Sequence, residues 1–301
     1  MKLTTLAAWG ATLALAASAA CATAPARDAA GAGAAAQEFE ARIAGSRSPV
    51  ERAARVARIV VIERPGGALE ELAAQDLAQT LDLARNALPG LFREGDDVAK
   101  LRVLDLYDRN WATLGQGVDF GINDLVTIGL GSRSADVRRA AARLAANAPL
   151  ERIGNAVIDG ATLDPSLTLA ALLAVGTATD YSCARWVAGM TVHDDPRVRE
   201  AARWAATRLG RDVAAHLRPL IDETDPVRQA RALEGLLAIA DASDLSLLQG
   251  WLARESAADP ALRARISAAA GAIEANTFKP EVPARPRLEF FVPEVRPGAK
   301  R

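Results

Sequence analysis

Two histidines and two cysteines are the residues of this 301-residue chain best suited to acid–base, nucleophilic or metal chemistry. Their spacing supports little of it. His193 stands in VHDDP beside Asp194 and Asp195. A metal needs ligands converging on one point, and His-x-Asp at a helix boundary reads as an inter-helix turn. His216 lies mid-helix in AAHLRPL and reads as a packing residue in a core or groove. Cys21 and Cys183 are the only cysteines, so neither a disulfide framework nor a cysteine metal site can be built, and Cys183 reads as a small buried hydrophobe. GQGVDFG, Gly115 to Gly121, lacks the preceding strand that a dinucleotide loop requires, and no nucleophile elbow is present. The sequence therefore implies no cofactor and no metal, and names no catalytic residue.

Composition points to helices. Half of the residues are apolar but only 4% are aromatic, so the apolar mass is mostly Ala, Leu and Val. Ala and Leu are strong helix formers, and small side chains let helix backbones approach closely. The formal net charge of −1 leaves no basic footprint for nucleic acid. Charges alternate in sign along the helical stretches, as on a solvated face.

The first twenty residues, 1–20, read as a secretory signal: Lys2, an apolar run from Leu3 to Ala17, then Ser18-Ala19-Ala20. The run is short for a membrane span. Cys21 follows at once, and SAAC resembles the lipobox of bacterial lipoproteins, with Ser18 where that family usually has Leu. The resemblance implies that Cys21 is acylated and that the protein is held to the membrane by lipid alone. Ala22 is not the usual inner-membrane retention residue, which implies the outer membrane, facing the periplasm. Ordinary cleavage after Ala20 would instead leave a soluble secreted or periplasmic protein. The Ala/Gly-rich segment 21–47 reads as a flexible tether.

An internal repeat organises the rest. A branched apolar residue precedes Arg138, Thr168, Arg199, Arg228 and Arg263, at steps of 30, 31, 29 and 35 residues. Asp164, Asp195, Asp225 and Asp259 are N-cap candidates, each followed by Pro at the first helical position, where a missing N–H is harmless. In DDPRVREAARWAATRLG, the residues Val198, Ala201, Ala202, Ala205 and Leu209 form one apolar stripe, closed by Gly210. A second helix follows each first one, and three of these start in register at Asp180, Asp212 and Asp244. No helix pair can bury its stripe alone, but stacked neighbours can.

This pattern resembles the HEAT-repeat family in its form of about thirty residues per unit. The likeness covers residues 134–276 and includes Pro219, since second HEAT helices tolerate a kinking proline. It implies an all-α fold, a right-handed α-solenoid of stacked antiparallel helix pairs. Upstream, 48–133 reads as divergent units or a cap, with helices over 48–62, 69–87, 97–113 and 119–130 and breaks at ERPGGAL, ALPGLFREGDD and TLGQGVD. The tail, 277–301, carries Pro280, Pro283 and Pro286 at the period of a polyproline II helix, then Phe290, Phe291 and Val292. It reads as a disordered end, a strap packed back on the last helices, or a partner-binding peptide.

The family likeness also implies roles. Arg138, Arg199, Arg228 and Arg263 would form a ladder with acidic residues of adjacent turns. Second helices line the concave side of such arrays, which makes Arg185, Trp186, His216, Arg218, Gln249 and Trp251 candidates for binding a protein partner in the envelope. The alternative is a HEAT-like lyase or a small-ligand binder, with His216 or Cys183 at the wall of the groove.

Overall fold

The computed structural model describes residues 26–115, 120–254 and 259–288. The signal, Cys21 and the Phe290–Phe291–Val292 group lie outside the described residues. Among those described, every regular element is helical and no helix is long and apolar enough to cross a membrane.

Much of the expected tether is a helix, α1 (Ala26–Ile43). Its alanines favour the helix, and Phe39 and Ile43, one turn apart, are buried at 6% and 4% exposure. Next come α2 (Pro49–Arg58), α3 (Gly67–Gln79) and α4 (Leu81–Ala84), and α1 packs on both α2 and α3. A π-helical turn, Ile59–Glu63, continues α2. Such a turn leaves carbonyls off the regular ladder. That of Val60 accepts from the Arg102 guanidinium, which also lies 2.6 Å from the Glu70 carboxylate. Arg102 and Glu70 are both buried, so each neutralises a charge that could not stay alone in the core. The stretch expected to break the chain after Ala87 instead forms α5 (Leu88–Glu94), because Pro89 falls in its first turn. Then follow α6 (Asp97–Arg109), α7 (Trp111–Leu114) and α8 (Phe120–Leu130).

The repeat region holds first helices α9 (Ala135–Asn147), α11 (Thr168–Ala178), α13 (Pro196–Leu209), α15 (Pro226–Leu237) and α17 (Pro260–Glu274). Between them lie second helices α10 (Gly154–Leu163), α12 (Ala184–Met190), α14 (Arg211–Ile221) and α16 (Leu245–Leu252). First helices pack in sequence, α6 on α9, α9 on α11, α11 on α13, α13 on α15, and α15 on α17. Among second helices α8 packs on α10 and α12 on α14, while each second helix packs closely on the first helix that follows it. Ala140, Ala141, Ala201, Ala202, Ala205 and Ala206 are at most 2% exposed, so the rows meet over small side chains.

The starts show how the helix ends are satisfied. Asp164, Asp195, Asp225 and Asp259 each accept from the backbone amide two residues on, at 2.8–3.2 Å. Ser134 caps α9. Counted from these caps, the fifth residue reaches back to carbonyls of the preceding segment in every unit but the second, where Thr168 bonds to Pro165 O in its own first turn. Arg138 donates to Ser132 and Arg133 O at 2.9 and 3.0 Å, and Arg199 to His193 and Asp194 O at 2.8 and 2.7 Å. Arg263 donates to Leu252 O.

In the fourth unit that place belongs to Gln229, whose Nε2 donates to Ile221 O at 2.6 Å. Arg228 is one residue early and pairs on the surface with Glu223 at 2.7 Å. Val227 is correspondingly 53% exposed, whereas Val137, Leu167, Val198 and Leu262 are buried. Of the four arginines expected in a ladder, Arg138 and Arg228 pair with acids of adjacent turns, Asp164 at 3.0 Å and Glu223 at 2.7 Å, while Arg199 and Arg263 donate to carbonyls.

The second-helix starts are not equivalent either. Asp180 caps a 3-10 turn, and Asp212 lies inside the first turn of α14 behind Gly210. Asp244 closes a capping box begun by Asp241. Gly210, at φ +60°, serves α13 and α14 at once as the corner residue, where a side chain would be strained.

Two predictions follow from this end chemistry. Arg199→Ala is expected to lower unfolding stability by about 1–2 kcal/mol and Gln229→Ala by about 1 kcal/mol. Arg228→Ala should stay within about 0.5 kcal/mol, and urea titration of the three variants reads the ranking. The second concerns acid. The hydroxyl of Ser166, then the Arg138 guanidinium, hold the Asp164 carboxyl below its usual range, and Arg64 does the same for Asp96. A carboxylate that titrates lower when folded contributes stability that is present above about pH 4 and lost as the pH falls through the folded value. The urea midpoint should therefore drop between pH 5 and pH 2.5, less steeply in Asp164→Asn.

Candidate functional site

Of the six residues expected to line a binding face, four are available. Arg185 on α12, His216 on α14 and Gln249 on α16 are exposed, and Trp186 is half-buried against the core. Trp251 is a correction. At 1% exposure it is among the largest fully buried side chains, so it belongs to the core and presents no surface. Arg218 is committed too, donating to Ser243 Oγ at 3.2 Å and Asp244 Oδ1 at 3.0 Å. Asp244 is fully buried and also takes Arg211 at 2.5 Å. Two guanidiniums on one buried carboxylate fasten α14 to the start of α16, and removing either would leave charge poorly compensated.

His193 sits in the turn, with Nδ1 accepting from the Asp195 amide at 3.0 Å. Cys183 is 1% exposed, and burial pushes its thiol up, away from the thiolate that a nucleophile needs.

The more elaborate site lies on the first-helix row. Residues 277–288 run back across it as an extended strap. Asn276, at φ +56°, ends α17 and turns the chain, and the amides of Thr277 and Phe278 both donate to Ala272 O, at 2.8 and 3.1 Å. Phe278 and Leu288 pack on the core at the two ends of the strap. Between them, Arg285 places its guanidinium 5.7 Å from the Trp204 ring centroid and donates to Ala146 O at 2.8 Å.

Ala146 is in the last turn of α9, where carbonyls lack helical partners. Thr177 Oγ1 of α11 donates to the same oxygen at 3.0 Å. Trp204, on α13, is 9% exposed, with Gly176 of α11 beside its ring. One arginine of the strap thus meets α9 and α13, and shares its carbonyl acceptor with Thr177 of α11.

A cavity of about 710 Å³ opens between the strap and α13, α15 and α17. Its charged lining is balanced, with Arg203, Arg265 and Lys279 against Glu200, Glu234 and Glu281. Glu234 lies 3.4 Å from Arg203 and 3.7 Å from Arg265, linking three first helices by loose ion pairs.

A strap was one reading of the tail, but neither Trp204 nor Arg285 was singled out from the sequence. Trp204 falls off the apolar stripe of its own helix, and Arg285 sits in a proline-rich tail. A lone Trp on an alanine helix and an Arg between prolines were the available signals. No protein-family model matches the chain, and a comparison with curated proteins finds no match.

The ring packing gives a test. A Cβ built on Gly176 lies 2.4 Å from Trp204 Cζ3 and 3.1 Å from Ala205 Cα. Gly176→Ala is expected to destabilise the chain by about 1–3 kcal/mol and to redden tryptophan emission as the indole moves outward. Unchanged emission and an unchanged urea midpoint would contradict the packing.

Proposed function

We propose that the chain is a non-enzymatic adaptor, a HEAT-like right-handed α-solenoid. It is held to the periplasmic side of a bacterial envelope membrane by lipid on Cys21. It binds another protein through its second-helix row. One observation carries this reading: the strap lies on the first-helix row, and Arg185, His216 and Gln249 stand exposed on the other. Sequential first-helix packing supports the solenoid, because an array of this kind grows by neighbour contacts. The surface is preformed on helices, so partner binding there needs little ordering. Trp and Arg side chains are common anchors at protein interfaces, and Arg185 with Trp186 supplies one such pair.

The lyase alternative loses its proposed wall, since Cys183 is buried and His216 is on open surface. Small-ligand binding keeps one supporting observation, the cavity of about 710 Å³, which lies beneath the strap on the first-helix row.

Two measurements test the proposal. Cys21→Ala should move the protein from the membrane fraction to the soluble fraction, and unchanged fractionation refutes the anchor. A photo-crosslinking residue placed at 185 or 216 should trap a neighbour in the envelope, with the adduct reduced at least about tenfold by the charge-introducing substitution Trp186→Glu on the same row. Absence of any adduct from both positions overturns the adaptor surface.

A further inference from the structure

We propose that the first-helix row is itself a peptide-binding groove, that the strap fills it in cis, and that its partner is an extended segment of another protein with an arginine set between two prolines. This goes beyond the adaptor surface on the second-helix row and does not depend on it.

The groove is defined by what the strap uses. PARP, Pro283 to Pro286, places Arg285 against the Trp204 ring while its guanidinium reaches Ala146 O at 2.8 Å and Asn147 Oδ1 at 3.5 Å. That is a cation–π contact combined with capture by a helix C-terminus, two features that select a cationic side chain, and a planar guanidinium can stack on the indole while donating sideways. Pro283 and Pro286 are half-buried, and Phe278 and Leu288 supply apolar anchors on either side.

Conformation is selected as well. From α17 to α9 the strap crosses four interaxial steps of about 8–10 Å each. Its twelve residues reach about 37 Å at about 3.1 Å per residue in polyproline II form, but only about 18 Å as an α-helix. Prolines spaced by three hold the extended form before binding and lower the ordering cost.

The strap is also lightly seated. Lys279 to Val282, Ala284 and Arg287 are exposed, Arg285 itself remains exposed while making its contacts, and Val282 retains 67% of its surface. Beneath it the cavity of about 710 Å³ is left open, lined by Arg203, Glu234 and Arg265. The cis strap gains from high effective concentration rather than from deep burial. A segment of the same chemistry with larger side chains over the cavity can therefore compete with it.

The test uses the full-length chain and a fluorescein-labelled peptide, TFKPEVPARPRL, in anisotropy titrations. Arg285→Glu in the chain should loosen the cis strap and open the groove. The expected result is that this variant binds the peptide at least tenfold more tightly than the wild-type chain does. A peptide carrying Arg285→Glu should bind neither chain, and adding Trp204→Ala to the variant should abolish binding. Failure of the Arg285→Glu chain to bind at 1 mM peptide, with its helical signal and melting midpoint intact, overturns the groove. Should that variant unfold, Pro283→Gly with Pro286→Gly loosens the strap instead and is judged by the same titration. Light scattering that finds the loosened chain dimeric would assign the groove to a second copy of this chain and overturn the separate partner.

Discussion

Short helices have many ends, and the satisfaction of those ends is the constraint on which this structure depends. A helix of eleven to fifteen residues, such as α11 or α17, leaves a large share of its amides and carbonyls without helical partners. Four of the five first helices answer at both ends of the turn that precedes them. An Asp or Ser cap takes the first amides, and the fifth residue sends a guanidinium or amide back to the carbonyls just upstream. Arg138, Arg199, Gln229 and Arg263 do this with different chemistry and one geometry. The turn is closed by side chains, which leaves the helix faces free for packing.

That packing uses small residues. Alanine buries little area by itself, so stability requires that backbones come close and that many contacts be made. The glycines at the crossings show how near the rows are. A Cβ on Gly129 of α8 would stand 2.7 Å from Ala141 Cβ of α9, and one on Gly154 would stand 2.2 Å from Cys183 Sγ. Close approach also explains the few large aromatics. Where one does enter, as Trp204 does between first helices, a glycine opposite it makes the room.

The helices and their starts were legible because the Asp-Pro signal is local: a carboxylate, a fixed φ and an unneeded amide act within three residues. The register of the fourth unit was misread for the converse reason. Val227-Arg228 repeats an apolar-Arg pair by composition, but the pair carries no geometry unless counted from its cap at Asp225, and that count selects Gln229. The equal spacing of Asp180, Asp212 and Asp244 misled in the same way, since three different turn types set their roles. Helix α1 was hidden by glycines at 31 and 33, and only the burial of Phe39 and Ile43 reveals why it forms. On the expected binding face, a shift of helix rotation decides everything. Gln249 and Trp251 are two residues apart, and one is exposed while the other is core.

The strap adds long-range contacts to helices that otherwise pack on their neighbours. In a stack of repeats each unit touches only its neighbours, and stability is a sum of nearest-neighbour terms, so the ends can fray independently. Arg285 bonds to residues 138 and 139 positions earlier in the chain, and its neighbour Trp204 lies on a helix between. Separating α9 from α17 must therefore break the Ala146 bond or lift the guanidinium from the indole. A contact at one arginine thus couples units that would otherwise respond separately. Because most strap side chains face solvent, this coupling is held by a few anchors. Spacing among the first helices and occupancy of the strap become linked quantities, and whatever shifts one shifts the other.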